Sequence, residues 1–415
     1  MSTTTVQPLS TPVEEIPLNI ESPQDIGFVF DIDGVLLKGK KRIEEATDII
    51  NYLSERKIPF ILLTNGGGMT EKKRIDFINK TLQLDKYPIN EDQLIQAHTP
   101  MRTLIPHHKR VLICGGPKDD VREVAENYGF EDVIRPIDII KANPTIWPYH
   151  MFSDEQIENW GKDPSITKLD VDMVNCKENL PIDSILCFND SRAIGAELQL
   201  ILDLLNSENG VLGTRRTEKS SKPSIPIVFS NNDFLWSNEY KQPRFAMGAL
   251  KIAVLTIYEK INGKKLEQLT LGKPEKVCYD YAHHILIDWR NVLLGKKSPG
   301  NLCLPKLNDA PVKSPFKKVY MVGDNPESDI TGGNNYNWGT ILVKTGVYQE
   351  GDFELNPEIS RPSLGVFANV KEGVMAALKL NGLAWFCTLI LLLLLLLLLS
   401  LLLSLFILNF SILSK

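Results

Sequence analysis

Apolar positions follow two rhythms along this chain. Short unbroken apolar runs predict strands buried on both faces: Ile26–Phe30, Pro59–Leu63, Arg110–Cys114, Ser184–Phe188, Ile225–Ser230, Lys318–Val322 and Gly339–Val343. Between them, apolar residues recur three and four apart. Ile43, Ala46, Ile49, Ile50 and Leu53 predict an amphipathic helix. Ala193–Leu205, Met247–Asn262 and a closing segment, Leu364–Leu380, predict further helices. Strand, helix and strand at this spacing form a βαβ unit, which implies a parallel sheet.

The same pattern divides the chain. Asn65 and Lys273, each close to the end of an apolar run, lie 208 positions apart, far more than a crossover needs. The intervening residues must form a domain of their own. The division is a leader over 1–24, a first core part over 25–85, an inserted α/β domain over 86–267, a second core part over 268–380 and an apolar tail over 381–415. Pro299, Pro305, Pro311 and Pro315 mark Lys296–Lys318 as a surface insertion. Met1–Ser22 is rich in Ser, Thr and Pro, carries Glu14, Glu15 and Glu21, and lacks both Arg and an apolar stretch. It reads as a flexible leader, neither a secretory signal nor a mitochondrial transit peptide.

Composition narrows the classes. A hydrophobic share of 43% over 415 residues is that of a globular protein. With 46 basic and 51 acidic residues and no basic cluster, no nucleic-acid partner is expected. Cys114, Cys176, Cys187, Cys278, Cys303 and Cys387 form no C-x-x-C pair, which excludes a disulfide scaffold and a zinc site and fits an intracellular, reducing compartment. Residues 380–414 hold no Asp, Glu, Lys or Arg. As a helix they would reach about 52 Å, against a hydrocarbon core of ~30 Å. A C-terminal hydrophobic helix anchoring residues 383–410 in a membrane is one expectation. The nine leucines Leu391–Leu399 leave open the other, a low-complexity stretch from a gene model that runs too far.

The chemistry sits where apolar runs end. Asp31 and Asp33, in Asp31-Ile32-Asp33-Gly34, follow the first run. Two carboxylates two apart at a strand end can face one pocket, and in a parallel sheet that pocket lies at the carboxyl ends of the strands. Thr64-Asn65-Gly66-Gly67-Gly68 offers a hydroxyl, an amide and accessible backbone N–H groups to an oxyanion. Lys273, between Gly272 and Pro274, can neutralise a phosphate. Asp324 opens Asp324-Asn325-Pro326-Glu327-Ser328-Asp329 after another run. In the inserted domain, Asn231 and Asp233 of Ser230-Asn231-Asn232-Asp233 follow a strand, as do Asn189 and Asp190. The pairs His107-His108 and His283-His284 lack metal-ligand companions and are expected to be solvated or capping.

D-x-D-G-V, T-N, G-K-P and G-D-x-x-x-x-D in this order resemble the motif set of the haloacid dehalogenase superfamily. The insert resembles the cap of its subfamily IIA, and T-N-G-G-G resembles the cat-eye-syndrome-critical-region type branch. The resemblance covers residues 26–380 and neither the leader nor the tail. It implies a Rossmann-like core with a parallel sheet under an α/β cap, and a Mg²⁺-dependent phosphatase acting on a small phosphorylated substrate. Asp31 is then the nucleophile that becomes an aspartyl-phosphate, and Asp33 the general acid and base. Thr64, Asn65, Gly66 and Lys273 hold the phosphoryl group. Asp31, Asp324 and the Asp33 carbonyl ligate Mg²⁺, supported by Asp329 and Asn325, while Asn231 and Asp233 face the substrate. A phosphate dianion repels a carboxylate by about 4 kcal/mol per unit-charge pair at 4 Å and an effective dielectric of 20, which a divalent cation offsets.

Two other readings stay open at this level. One is a catalytically idle, membrane-tethered scaffold. The other is a mitochondrial phosphatase of glycerophospholipid precursors, because fungal members of the branch occur with a phosphatidyl-transferase module. That module's D-G-x-x-A-R signature is absent here. Substrate identity and oligomeric state are left undetermined.

Overall fold

Each of these apolar runs becomes a strand in the computed structural model, which describes residues 20–169, 180–236, 240, 242, 244–302 and 304–383. Six parallel strands form the core sheet, in the spatial order Gly365–Phe367, Gly339–Val343, Lys318–Gly323, Ile26–Phe30, Phe60–Leu63 and Leu94–Ile95. In chain order this is the doubly wound 3-2-1-4-5-6 arrangement, with its switch point between Ile26–Phe30 and Lys318–Gly323. Those two strands run in register, Phe30 beside Val322, so Asp31 and Asp324 emerge side by side at their carboxyl ends.

Both faces of the sheet are covered, which is why its strands carry no polar alternation. Phe28, Phe30, Leu62 and Tyr320 face helices Glu44–Glu55 and Val370–Leu380, packing on Ile49, Ile50, Leu53, Val374 and Leu378. Val29, Ile61, Leu63 and Met321 face helix Lys276–Leu293 through Tyr279, Ala282 and Leu286. Fully burying such a side chain stabilises the fold by about 1.5–3 kcal/mol.

A second parallel sheet lies between the two core parts. Its order is Leu269–Thr270, Ile227–Phe229, Ser184–Cys187, Arg110–Cys114 and Asp132–Ile134. Helices Asp120–Tyr128, Ile194–Leu205 and Met247–Asn262 pack on it. The carboxyl ends of this cap sheet meet those of the core. The Asn231 side-chain amide donates to the Asn65 carbonyl at 3.0 Å, and the Asn232 amide donates to Glu275 at 2.8 Å.

Three expectations need correction. Leu364–Leu380 is not one helix: Gly365–Phe367 pairs with Ile341–Val343 as the edge strand, and the helix begins at Val370, where the Asn369 side chain accepts from the Glu372 N–H. A three-residue strand is too short to impose a period of its own. His283 is not solvated. It is buried, shares a 2.8 Å hydrogen bond with Ser314, and stacks edge-on against Tyr336 and Trp338. The domain bounds also shift: Leu94–Ile95, inside the segment assigned to the inserted domain, completes the core sheet, and the cap's own strands begin at Arg110. Leu269–Thr270, assigned to the second core part, pairs with Ile227–Phe229 in the cap sheet. The leader over 1–19 and the tail from 384 onward lie outside the described residues. Among the described residues, no helix is long and apolar enough to cross a membrane.

Candidate active site

Asp31 is buried, its backbone N–H bonded to the Val322 carbonyl at 2.9 Å, so strand pairing itself aims the side chain. The ammonium of Lys273 lies 3.0 Å from Asp31 Oδ1 and 2.6 Å from Asp329 Oδ1. Burial works against the Lys273 charge, but Asp31 and then Asp329 outweigh it and hold the ammonium well above its ordinary pKa. Asp329 is fully buried. It receives the Asn325 backbone N–H at 3.1 Å, and burial pushes its carboxyl up to about 7. Asp324 accepts from the Val347 N–H at 2.7 Å. Burial, followed by the charges of Asp31 and Asp329, raises it well above the usual carboxylate range.

The fit around Asp324 depends on two glycines. A Cβ on Gly34, which sits at φ +91, would stand 2.3 Å from Asp324 Oδ2, and one on Gly346 would stand 1.8 Å from it. Backbone thus walls the carboxylate where side chains would displace it. Carboxylate oxygens of Asp31, Asp324 and Asp329 lie within 4.8 Å of one another. Three buried acids share one buried ammonium, and their oxygens are hard donors. The chemistry of this set fits a divalent cation such as Mg²⁺, with Asp31 and Asp324 the available ligands because Asp329 is engaged by Lys273 and the Asn325 N–H.

Asp33 stands at the cleft mouth, with 53% of its side-chain surface exposed and Arg74 3.0 Å away. Enclosure by the cleft raises its carboxyl above the ordinary value; Arg74 pulls it down and Asp31 pushes it up. Thr64 is buried, and its hydroxyl accepts from the Gly66 N–H at 3.0 Å, folding the glycine loop toward Asp33. Asn65 is spent within the protein. Its amide donates to Asp233 and to the Lys273 carbonyl, each at 3.0 Å, and its oxygen accepts from the Lys273 N–H at 2.9 Å. Asn65 therefore clips the phosphate-loop candidate to both Lys273 and the cap.

From the cap, Asn231 caps its own turn by accepting the Asp233 N–H at 3.0 Å. Burial pushes the Asp233 carboxyl up to about 6, opposed by the Asn65 hydrogen bond and by Lys273. Asn189 lies against Gly67 and Gly68, and Asp190 accepts from the Met247 N–H at 2.8 Å. The fold thus gathers Asp31, Asp33, Thr64, Asn65, Gly66, Lys273, Asp324, Asn325, Asp329, Asn231 and Asp233 around one cleft. Sequence reasoning missed Arg74 and His98. Arg74 sits in the first turns of helix Glu71–Leu82, 41 positions from Asp33, and no spacing rule links the two.

Comparisons with known proteins place the chain in a family and a fold. Residues 28–131 match a family model described as haloacid dehalogenase-like hydrolase, and residues 270–373 one described as HAD-hydrolase-like. The chain is 49% identical over 329 residues to a mitochondrial hydrolase of Saccharomyces cerevisiae, spanning 79% of this chain and 89% of that protein. It is 40% identical over 356 residues to a cardiolipin synthase (CMP-forming)/mitochondrial hydrolase fusion protein of Schizosaccharomyces pombe, spanning 85% of this chain but 53% of the fusion. A crystal structure from Cytophaga hutchinsonii, described as a possible sugar phosphatase of the HAD superfamily, shares the fold with a TM-score of 0.52 and 17% identity. It covers 85% of this chain and 98% of its own.

Proposed function

Because the chain belongs to the haloacid dehalogenase-like hydrolases, we propose that it is a Mg²⁺-dependent phosphatase working through an aspartyl-phosphate on Asp31. The observation that carries this reading is the Asp31 carboxylate at the switch point, 3.0 Å from a buried ammonium and beside Asp324 and Asp329. An Asp31 oxygen attacks phosphorus while the ester oxygen leaves, taking a proton from Asp33. Water then attacks phosphorus and gives a proton to Asp33, and the bond between Asp31 and phosphorus breaks to release phosphate and restore the carboxylate. The raised Asp33 carboxyl supports a group that carries a proton. Lys273, the Thr64 hydroxyl and the loop N–H groups hold the phosphoryl oxygens. Asp31, Asp324 and the Asp33 carbonyl would hold Mg²⁺, with Asp329 and Asn325 behind them, and the ion supplies charge neutralisation of the phosphate dianion.

The cap chooses the ester, through Asn231 and Asp233 at the cleft. The fission-yeast relative joins such a hydrolase to a cardiolipin synthase, which favours a phosphorylated glycerophospholipid precursor in mitochondria as the substrate. A panel of phosphate esters, assayed with Mg²⁺ and with Asp31→Asn as control, tests both parts. Release of phosphate that survives Asp31→Asn refutes the nucleophile, and preference for esters lacking a glycerol group refutes the narrower substrate. The apolar residues after Leu380 are read as a membrane anchor. Full-length protein should pellet with membranes and a chain ending at Leu380 should not; full-length protein in the soluble fraction would end that idea.

A further inference from the structure

The Thr64–Gly68 loop is gripped at its far end by a residue that the chemistry above does not use. His98 is fully buried, and its ring stacks on Phe188 of the cap with centroids 5.3 Å apart. The Gly68 backbone N–H points at His98 Nε2 over 3.1 Å. A backbone amide can only donate, so Nε2 accepts and the ring proton resides on Nδ1. Nδ1 lies 2.8 Å from the Tyr128 hydroxyl oxygen, which therefore accepts. The Tyr128 hydroxyl in turn donates to Glu71, whose same oxygen also receives the Thr99 hydroxyl at 2.7 Å. Every donor in the series Gly68, His98, Tyr128, Glu71 points the same way, and the carboxylate closes it. Burial lowers the imidazole to about 4, so the ring is neutral at physiological pH, as this tautomer requires.

Packing leaves the grip no slack. A Cβ on Gly67 would come 2.7 Å from the His98 ring, and Gly68, at φ +94, lies against the Asn189 amide of the cap. Glu71 opens helix Glu71–Leu82 and His98 follows the core strand Leu94–Ile95, whereas Tyr128 ends the cap helix Asp120–Tyr128. We propose that His98 is a positioning residue for phosphoryl transfer: through Gly68 it fixes the N–H groups of the Thr64–Gly68 loop, and through Tyr128 it ties their placement to the seating of the cap. This rests on the reading that the loop binds the phosphoryl group.

The test compares His98→Leu, His98→Gln and Tyr128→Phe, with p-nitrophenyl phosphate and Mg²⁺ as the probe and Asp31→Asn as control. A misplacement of the loop by a fraction of an ångström should lower kcat on the order of tenfold to a hundredfold in His98→Leu, with KM changed by less than about threefold. Tyr128→Phe keeps the ring, removes only the hydroxyl, and should lower kcat severalfold. His98→Gln can both accept from Gly68 and donate to Tyr128, and should restore most of the loss. The second readout needs no turnover: in protein labelled with [¹⁵N]glycine, hydrogen exchange at the Gly68 amide should speed up at least tenfold in His98→Leu and not in His98→Gln. Unchanged kcat and unchanged Gly68 exchange in His98→Leu would overturn the proposal. Equal losses in the Gln and Leu variants would also overturn it, since ring volume would then matter and hydrogen bonding would not. If His98→Leu fails to fold, Tyr128→Phe decides. If Asp31→Asn keeps its activity, the site reading fails on its own, and Gly68 exchange alone judges His98.

Discussion

Two parallel sheets end on one cleft, and they present opposite kinds of chemistry to it. The core sheet ends in buried charge: Asp31, Asp324 and Asp329 around Lys273. The cap sheet ends mainly in amides: Asn231 and Asn232 bond to loop backbone or to neighbouring side chains, and Asn189 packs against Gly67 and Gly68. Strand direction and layering are alike in the two, so architecture does not decide which one reacts. What differs is the demand each side makes. Buried charges of one sign destabilise one another and call for a cation, whereas amides are satisfied by geometry alone. On the proposed reading, the core end is held for chemistry at a cost in stability, and the cap end covers and selects.

The sharpest way to break this contrast is to move one atom in the core. Asp31→Asn keeps the shape and removes the proposed nucleophile, and phosphate release should fall by at least about a thousandfold. Asn231→Ala, at the opposite end, should shift the relative kcat/KM among esters while turnover survives. Equal losses in the two variants would mean that the cap shares in the reaction itself. Next in size is Lys273→Met, which strands Asp31 and Asp329 without their ammonium. Unfolding in urea should show a loss of about 3–5 kcal/mol, partly recovered by adding Asp329→Asn. Asn232→Ala breaks a cap contact to Glu275 and should cost no more than about 1.5 kcal/mol. A third variant, Asp324→Asn, removes one crowded carboxylate. In EDTA at pH 8 it should be more stable than wild type, on the order of 2–3 kcal/mol, while calorimetry shows weaker Mg²⁺ binding. Lower stability in EDTA would mean that the three acids do not repel one another.

The same contrast explains what could be read from the chain alone. Strands buried on both faces must be apolar throughout, so Ile26–Phe30 and Lys318–Gly323 stand out, and Asp31 and Asp324 are conspicuous as the first charges after them. Lys273 and Asp329 carried motif spacing. Leu94–Ile95 was hidden because two residues set no period, and buried Gln93 and Gln96 flank it. Gly365–Phe367 merged with the helical rhythm that follows. His98 was hidden for a different reason. Its partners Gly68, Tyr128 and Glu71 come from separate segments of core and cap, and a lone histidine carries no local signature of such a network. Asn65 was legible as a site residue but not as the clip between Lys273 and Asp233, which needs the cap's docked position.

Asp233 is the cap group that blurs the contrast, and it yields the smallest but most diagnostic effect. Its carboxyl is pushed up to about 6 by burial over the core, with the Asn65 hydrogen bond and Lys273 pulling the other way. The folded state therefore holds a proton that the unfolded chain releases near the ordinary value of 3.8. Between these values folding takes up a proton, so the stability linked to Asp233 is fully present below about pH 4 and is lost as pH rises through about 6. Asp329 has a slope of the same sign, but it is common to wild type and variant and cancels in their difference. Asp233→Asn should thus gain on wild type from pH 4 to pH 7, by on the order of 1–2 kcal/mol after solvent screening. Urea unfolding at pH 4, 5, 6 and 7 measures the difference. A flat difference would mean that Asp233 titrates as a surface carboxylate. The cap would then not press it against Asn65 in solution, and charge at the cleft would belong to the core end alone.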